Sequence, residues 1–356
     1  MPRSFYIREA QLDLQQRSIV DKRLEQNLVV TGGAGSGKSV LALWKAKAIQ
    51  ERGKSVLYVV KTVSLKQFMK DGVSAVGLDS STITSFNKCF KFTINEEGEF
   101  ENHGWKLGDY DYIILDEATD LEKEEVQELI QHCTYFIAFG DNDQQLFAFK
   151  GTMTTVEDIA KTMNMNPEND VDYLTHNHRL PKKIARLVVY AHPSINMNTP
   201  NGTSKADNYV RRCTNEGTEM PHVFGYSSEE EQFKHIMKII RNKNGGLKDV
   251  GILFRNRDTM SRAYDFFEAN DMEVSMIKDS NFFGSFQSDA PKLMTYHGAK
   301  GLQFETVFVP NCDGNVSDIA PLYVALTRTY SSLYVMYTGA MPSVFRNAPK
   351  NLYETN

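Results

Sequence analysis

One short segment carries residues whose types and spacing could bind the phosphates of a nucleotide. The segment GGAGSGKS at 32–39 fits the pattern G-x-x-x-x-G-K-[ST], after an apolar run and before a helical pattern. Its glycines would let backbone N–H groups converge on phosphate oxygens, and the start of a helix adds positive potential. We expect Lys38 to reach the β- and γ-phosphates and Ser39 to bind Mg²⁺. The predicted cradle consists of Gly33, Ala34, Gly35, Ser36, Gly37, Lys38 and Ser39.

A pair of carboxylates forms the second candidate for chemistry. In YIILDEA at 112–118, Asp116 and Glu117 stand at the end of an apolar strand, where α/β folds place their ligands. Asp116 would hold the Mg²⁺ shell, and Glu117 would polarise the attacking water. An acidic pair of this kind is usually a solvated strand end, but after a P-loop the catalytic interpretation is favoured.

The elements that must position these residues alternate between apolar strands and helical patterns. Strands are predicted at 28–33, 55–60, 110–118 and 134–141, and then at 221–226, 249–255, 290–296, 305–310 and 331–337. Helices are predicted at 38–52, 228–242 and 258–269. Continuous apolar strands separated by helices indicate parallel sheets covered on both faces. Segment 164–172 is predicted to be a linker and 195–220 a surface loop, and the tail after Ser343 is predicted to fray.

Composition limits the classes of protein that this chain can be. Its 356 residues suffice for two domains. Because the net charge is −5, any polyanion that the protein binds would have to lie along a local cluster of basic residues. The four cysteines lie far apart, which argues against a zinc site or a disulfide framework and favours a cytoplasmic protein. The N-terminus has no apolar signal sequence, and no stretch approaches the roughly 20 apolar residues of a membrane span.

Taken in order, these and further motifs resemble those of the UvrD/Rep-type superfamily 1 helicases. LDLQQRSIV (12–20) resembles the family's Gln motif, ITSFNKCF (83–90) its motif Ib, and LDEATD (115–120) its DEAQD, with Thr119 in place of the glutamine. FGDNDQQLF (139–147) resembles GDxDQSIY, and LTHNHRLPKKI (174–184) resembles the NYR motif. LMTYHGAKGLQFETVFV (293–309) resembles TxHxxKGLEF, and LYVALTRTYSSLYV (322–335) resembles YVALTRA. Together the matches cover nearly the whole chain.

The resemblance implies an α/β fold with two RecA-like parallel-sheet domains and ATP at their interface. The expected domains are 1–172 and 173–345, followed by a tail at 346–356. Gln16 would read adenine, Gln144 would sense the γ-phosphate, and Arg179 and Arg328 would act as arginine fingers that stabilise transition-state charge. The remaining nucleotide contacts would come from His178, Gly301 and Gln303. His178 replaces a tyrosine that stacks on adenine, and Gln303 replaces a glutamate near the ribose, so we expect relaxed nucleotide selectivity.

The resemblance also implies a track for single-stranded nucleic acid, in which aromatic stacking contributes roughly 1–3 kcal/mol per base. The residues that match its contact positions are Lys61, Thr62, Thr84, Phe86, Phe147, Phe149, Lys150 and His297. Lys61 stands where the family has an aromatic residue, so it would contact a phosphate instead. For Phe147, packing in the core remains the alternative.

The activity implied by the resemblance is that of an ATP-dependent DNA helicase or translocase moving 3′→5′ on single-stranded DNA. Only 29 residues (87–115) separate Phe86 from Asp116, which leaves no room for the domain that larger relatives insert there. We therefore expect weak unwinding without a partner, which could supply duplex contacts or a nuclease. The alternative is a nucleotide-gated DNA-sensing or regulatory subunit of a nuclease or phage-defence complex. An RNA substrate also stays open.

Overall fold

The structure is a computed structural model that describes residues 8–94, 100–146, 152–217, 219–242, 249–277, 288–314 and 319–356. The chain separates into two compact units. The first ends at Leu174 and the second begins at Thr175, but the loop Gly33–Ser36 is grouped with the second unit. The break therefore falls two residues after the boundary expected at 172.

A parallel sheet of six strands forms the centre of the first unit. The strands of this unit are β1 (Leu28–Gly32), β2 (Val56–Val60), β3 (Ile83–Ser85), β4 (Phe90–Ile94), β5 (Phe100–Trp105), β6 (Tyr110–Leu115), β7 (Cys133–Gly140) and β8 (Val171–Leu174). The sheet has the order β3-β2-β6-β7-β1-β8, while β4 and β5 form a separate antiparallel pair. The helices are α1 (Leu14–Val20), α2 (Lys38–Glu51), α3 (Val63–Phe68), α4 (Lys70–Val76), α5 (Lys123–Gln131) and α6 (Val156–Thr162).

A second parallel sheet of six strands forms the centre of the second unit. The strands of this unit are β9 (Asn177–Pro181), β10 (Cys213–Asn215), β11 (His222–Tyr226), β12 (Val250–Phe254), β13 (Ser275–Met276), β14 (Lys292–Thr295), β15 (Phe304–Val309) and β16 (Thr329–Thr338). The sheet has the order β11-β16-β15-β12-β14-β13, and β9 pairs with β10 apart from it. The helices are α7 (Lys182–Val188), α8 (Gly202–Arg212), α9 (Glu229–Asn242), α10 (Arg257–Ala269) and α11 (Ile319–Leu326).

Apolar periodicity explains how helices cover these sheets. In α9 the buried residues Phe233, Ile236, Met237 and Ile240 follow the spacing i, i+3, i+4, i+7 of one helix face. The inner strand β2 is buried at all five positions, as a strand covered on both faces must be. The predicted α/β class with two RecA-like parallel sheets is therefore confirmed. Among the described helices, none combines the length and apolar character needed to cross a bilayer.

Three local predictions were wrong. The predicted loop at 195–220 contains α8, whose buried residues are Gly202 and Ala206, and the strand β10. The predicted linker at 164–172 overlaps β8, which pairs with β1 in the sheet. The tail does not fray: Phe345 is fully buried, and the N–H of Val223 in β11 donates to the Glu354 carbonyl at 2.8 Å. The tail therefore covers part of the β11 edge.

We expect Gly251→Ala to destabilise the second unit. A Cβ at this position in β12 would lie 2.6 Å from Cδ2 of the buried Phe304 ring. Overpacking of this kind costs about 1–3 kcal/mol of unfolding free energy, which chemical denaturation would measure. Gly108→Ala is the control, because a Cβ there meets no atom within 4 Å. Equal stability of the two variants would contradict the packing described here.

Candidate nucleotide and metal site

The loop that joins β1 to α2 has the backbone that the P-loop pattern predicts. Gly35 and Gly37 have φ of 77° and 94°, a left-handed conformation that glycine adopts without steric cost. Gly37 caps α2, which begins at Lys38, so the start of a helix directly follows the loop. The Lys38 side chain is 6% exposed, and its Nζ donates to the Gly32 carbonyl at 2.5 Å. The lysine thus folds back along the loop.

Asp116 stands immediately after β6 and is fully buried. Its Oδ2 accepts from the Tyr58 hydroxyl and its Oδ1 from the Glu117 N–H, each at 3.0 Å. A side-chain hydrogen bond also links Asp116 to Ser39. The structure therefore brings together the two residues expected at the metal. Hydroxyl and carboxylate oxygens are the ligands that Mg²⁺ prefers, so this set of donors fits the ion.

The charge of Asp116 is destabilised by its surroundings. Burial, and to a smaller extent the neighbouring Glu117 carboxylate, raise the pKa of this carboxyl to about 6. Hydrogen bonds from Ser39 and Tyr58, together with the Lys38 ammonium, act in the opposite direction and lower the pKa. A bound cation would offset the remaining cost of burying this negative charge.

Glu117 adopts a backbone conformation that is unusual for a residue with a side chain. Its φ of 53° and ψ of 43° are left-handed, and the side chain is 6% exposed. Holding a non-glycine residue there costs about 1–3 kcal/mol, a strain that occurs preferentially at functional sites. Glu117 directly precedes, and caps, the short helical turn Ala118–Asp120.

Side chains tie the loop after β7 to the loop after β6. The amide of Gln144, which is 1% exposed, donates to the Asp141 carboxylate. The Thr119 hydroxyl donates to the Asp141 carbonyl at 3.0 Å. Gln145 in turn donates to the carbonyls of Thr119 at 3.2 Å and Thr154 at 2.9 Å. Gln144 is thus held at the carboxyl edge of the sheet, and Thr119 and Gln145 are supporting residues that sequence reasoning missed.

Gln16 lies against the phosphate loop. Its side-chain oxygen accepts from the Asp13 N–H at 3.1 Å, within the cap of α1. Its Nε2 occupies the space where a Cβ at Gly37 would stand, 2.5 Å away. The buried Lys45 donates to the Lys22 carbonyl at 2.7 Å and so holds the end of α1 to α2. Lys45 was also missed, because a lysine in a helical pattern is usually exposed.

In the second unit, three predicted residues gather around Thr327. The Arg179 guanidinium donates to the Gln303 side chain at 3.3 Å and to the Thr327 carbonyl at 3.4 Å. Arg328 is 1% exposed and donates to the Thr327 hydroxyl at 2.9 Å and the Val324 carbonyl at 2.8 Å. These hydrogen bonds satisfy guanidinium N–H groups that would cost free energy if they were buried without an acceptor.

The remaining predicted nucleotide contacts also lie in the second unit. The His178 ring is 3.1 Å from the Thr214 hydroxyl, and Gly301 has a left-handed φ of 80°. The loop Gly33–Ser36 is grouped with this same unit. Within the unit, the Gly35 carbonyl accepts from the His178 N–H at 2.9 Å. His178 and the glycine loop are therefore brought together through the backbone.

The residues of the first unit that were predicted to contact nucleic acid differ in their burial and in their partners. Lys61 Nζ lies 3.5 Å from a Glu125 carboxylate oxygen and 5.1 Å from the centre of the Phe86 ring. Thr62 caps α3, and Thr84 is half-buried in β3. Phe86 is 4% exposed and packs on Phe90, with ring centres 4.8 Å apart. The Phe86 ring therefore lies in the core and does not offer an open face to a base.

The other predicted contacts are His297 and a segment of motif III. His297 follows β14 and lines a cavity of about 140 Å³ together with Arg255, Asn311 and Asp313. Phe147, Phe149 and Lys150 lie outside the described residues. The alternative of core packing for Phe147 therefore stays open.

Comparison with known proteins finds a matching family model and relatives whose names describe DNA helicases. Residues 15–150 match a family model described as an AAA domain. The chain is 28% identical over 193 residues to a "Probable DNA helicase II homolog" of Mycoplasma pneumoniae, covering 50% of this chain and 26% of that protein. It is 22% identical over 258 residues to a "Putative ATP-dependent DNA helicase R568" of Acanthamoeba polyphaga mimivirus, covering 66% and 34%. The chain thus spans about a quarter to a third of the length of these relatives.

Two solved structures show weaker similarity. One is the C-terminal domain of a possible DNA helicase from Lactobacillus plantarun WCFS1, at 16% identity and a TM-score of 0.40, covering 51% of this chain and 99% of that chain. The other is the helicase of PRRSV, at 12% identity and a TM-score of 0.45, covering 94% of this chain and 55% of that chain.

We expect Asp116→Asn to stabilise the metal-free protein at neutral pH. The folded pKa of Asp116 lies above its unfolded value, so its contribution to stability is complete below pH 4 and is lost as the pH rises through about 6. The variant should therefore gain roughly 1–2 kcal/mol at pH 7.5 and almost nothing at pH 4. Denaturation with a chelator present, at both pH values, measures this difference.

Asp111→Asn is the matched control for this prediction. Asp111 lies in β6, the strand that leads to Asp116, but its carboxylate accepts from the Ser55 N–H at 2.8 Å and from the Ser55 hydroxyl at 2.9 Å, and these bonds lower the pKa of Asp111. Its stabilising contribution is therefore present above its unfolded pKa, and this variant should be less stable than wild type at neutral pH. A pH-independent effect of Asp116→Asn would contradict the assigned burial cost.

Proposed function

Because the chain is a UvrD/Rep-like member of the superfamily 1 helicases, we propose that it hydrolyses ATP with Mg²⁺ and moves along single-stranded DNA. The proposed movement is 3′→5′, with weak strand separation unless a partner supplies duplex contacts or a nuclease. The observation that carries the ATPase proposal is the hydrogen bond between Ser39 and the buried carboxylate of Asp116, beside a helix that begins at Lys38. A carboxylate with a raised pKa next to a phosphate loop favours a metal-nucleotide complex over an empty site.

Each residue of the site has a proposed role. The N–H groups of the glycine loop and the Lys38 ammonium would bind the phosphates, and Ser39 and Asp116 would hold Mg²⁺, which neutralises phosphate charge when bound. Glu117 would accept a proton from the attacking water. Gln144 would respond to the γ-phosphate. These roles agree with the burial of Lys38, Asp116, Glu117 and Gln144, since electrostatic interactions strengthen when water is excluded.

The second unit would supply the remaining nucleotide contacts. Arg179 and Arg328 would stabilise the charge that develops on the γ-phosphoryl group. The hydrogen bonds of Arg328 to its own unit support an orienting role before any ligand is present. Gln16, His178, Gly301 and Gln303 would contact base and sugar. A histidine at 178 supports relaxed selectivity, since its ring stacks on a base less extensively than a tyrosine ring.

The proposed DNA track includes Lys61, Thr62, Thr84 and His297, with Phe147, Phe149 and Lys150 as proposed contacts outside the described residues. Phe86 would act indirectly, because its buried ring supports the Lys61 side chain. A lysine with 26% of its side chain exposed can still reach a phosphate oxygen if it leaves its acidic neighbour. We therefore assign the salt-dependent part of strand binding to Lys61.

We expect Lys38→Ala to abolish ATP hydrolysis while leaving the fold intact. Removal of the ammonium deletes a charge that the γ-phosphoryl transition state requires, so the rate should fall by at least about 100-fold. Lys47→Ala is the control, because Lys47 lies on the same helix but contacts Glu51 at 3.8 Å and the Trp44 ring. Wild-type turnover in the Lys38 variant would refute the site.

The nucleic-acid proposal is tested by measuring ATPase activity without nucleic acid and with single-stranded DNA, single-stranded RNA or duplex. Stimulation by single-stranded DNA, with directional displacement of a bound protein block, would support a translocase. Tight ATP-dependent binding without displacement would instead favour the nucleotide-gated sensor. Robust, processive unwinding of a tailed duplex by the purified protein would contradict weak strand separation.

We expect Glu125→Gln to strengthen binding of single-stranded DNA. The change releases Lys61 from its ion pair, yet a glutamine can still accept the Glu122 N–H that Glu125 now binds at 2.8 Å in the cap of α5. Affinity should rise about 2–5-fold at low salt, and the gain should fade at high salt. Glu124→Gln is the control for net charge. An equal gain in both variants would show that Lys61 is not the contact.

A further inference from the structure

We propose that Tyr58, which no motif of the chain includes, is a positioning residue that fixes the Asp116 carboxylate for Mg²⁺. The inference rests on the proposed ATPase function, because it assigns a role toward the same metal. Tyr58 lies at the centre of β2 and is fully buried. Its neighbours in that strand, VLYVV, are all aliphatic, so its hydroxyl is the only side-chain hydrogen-bonding group that β2 carries.

The register between β2 and β6 explains how Tyr58 reaches Asp116. Tyr58 pairs with Ile114, and the Asp116 N–H donates to the Val59 carbonyl at 3.0 Å. Side chains two residues apart on a strand point to the same face, so Ile114 and Asp116 lie on the face that Tyr58 also occupies. The tyrosine ring spans the distance from its paired residue to the carboxylate beyond the strand end. A shorter polar side chain at position 58 could not make this contact.

The contact fixes the rotation of the carboxylate. The Tyr58 hydroxyl donates to Oδ2 at 3.0 Å and the Glu117 N–H donates to Oδ1 at 3.0 Å, so each oxygen has its own donor. A side chain whose two oxygens are bound at opposite sides cannot turn about its last bond without breaking one hydrogen bond. Partners of this kind orient metal ligands, and their loss commonly weakens metal affinity by 10–100-fold.

A purely structural role for Tyr58 makes a different prediction. The Tyr58 hydroxyl also lies 3.9 Å from the sulfur of the buried Met69, the residue between α3 and α4, so Tyr58 contributes to the core there. Phenylalanine keeps this packing and removes only the hydroxyl. If Tyr58 served the core alone, Tyr58→Phe would change stability without changing the Mg²⁺ requirement.

The test measures binding of a fluorescent ATP analogue to wild type and to Tyr58→Phe as Mg²⁺ is varied, and separately with a chelator. We expect the variant to need at least about 10-fold more Mg²⁺ for half-maximal binding, with unchanged affinity for the analogue when Mg²⁺ is absent. Tyr323→Phe is the matched control, because it removes a buried tyrosine hydrogen bond, 3.1 Å to the Tyr209 hydroxyl, in the other unit. Its Mg²⁺ requirement should equal that of wild type.

The outcomes separate the two proposals. A wild-type Mg²⁺ requirement in Tyr58→Phe overturns the positioning role and leaves the ATPase proposal standing. An equal rise in the Mg²⁺ requirement of Tyr58→Phe and Tyr323→Phe also overturns it, since the effect would then follow from general loosening. Failure of the wild-type protein to bind the nucleotide in a Mg²⁺-dependent way overturns the proposed function itself.

Discussion

The first unit is organised around the burial of one carboxylate at the end of a central strand. An isolated charge away from water costs several kcal/mol, so the fold must supply donors wherever Asp116 stands. The donors come from separate elements: Tyr58 from β2, Ser39 from α2, and the Glu117 N–H from the turn that follows β6. Their meeting requires the parallel order of the strands, because only parallel strands bring their carboxyl ends to one edge. The geometry of the site therefore depends directly on the parallel order of the sheet.

The second unit also buries a charged group, the positively charged guanidinium of Arg328, and surrounds it with hydrogen-bond partners. Arg328 is almost completely buried, and backbone carbonyls and a hydroxyl take the place of water around its guanidinium. Arg179 reaches the Thr327 carbonyl of the same turn and the side chain of Gln303. In both units the charged groups expected to act on a nucleotide are thereby oriented by neutral polar groups. Such preorganisation lowers the reorganisation that a reaction would otherwise require.

Much of this arrangement can be predicted from the sequence, and the predictions that were wrong or missing have specific physical causes. The phosphate loop is predictable because glycine spacing and a following helix fix its backbone locally, and the central strands are predictable because burial on both faces makes them uniformly apolar. The Tyr58 contact is not, since it depends on the register of β2 against β6. Phe86 has the residue type of a stacking contact, yet tertiary packing against Phe90 buries it. The polar sequence of α8 conceals a helix whose buried surface is small.

The pairing of the tail with β11 has a practical consequence for handling the protein. β11 has a sheet neighbour on one side only, and its other edge is occupied by backbone and side-chain bonds from Glu354 and Asn356. An uncovered strand edge is a template on which another chain can add a strand, which is a common route to aggregation. Truncation before Glu354 would remove these bonds and uncover this edge of β11. Such a truncated protein is therefore expected to associate as it is concentrated.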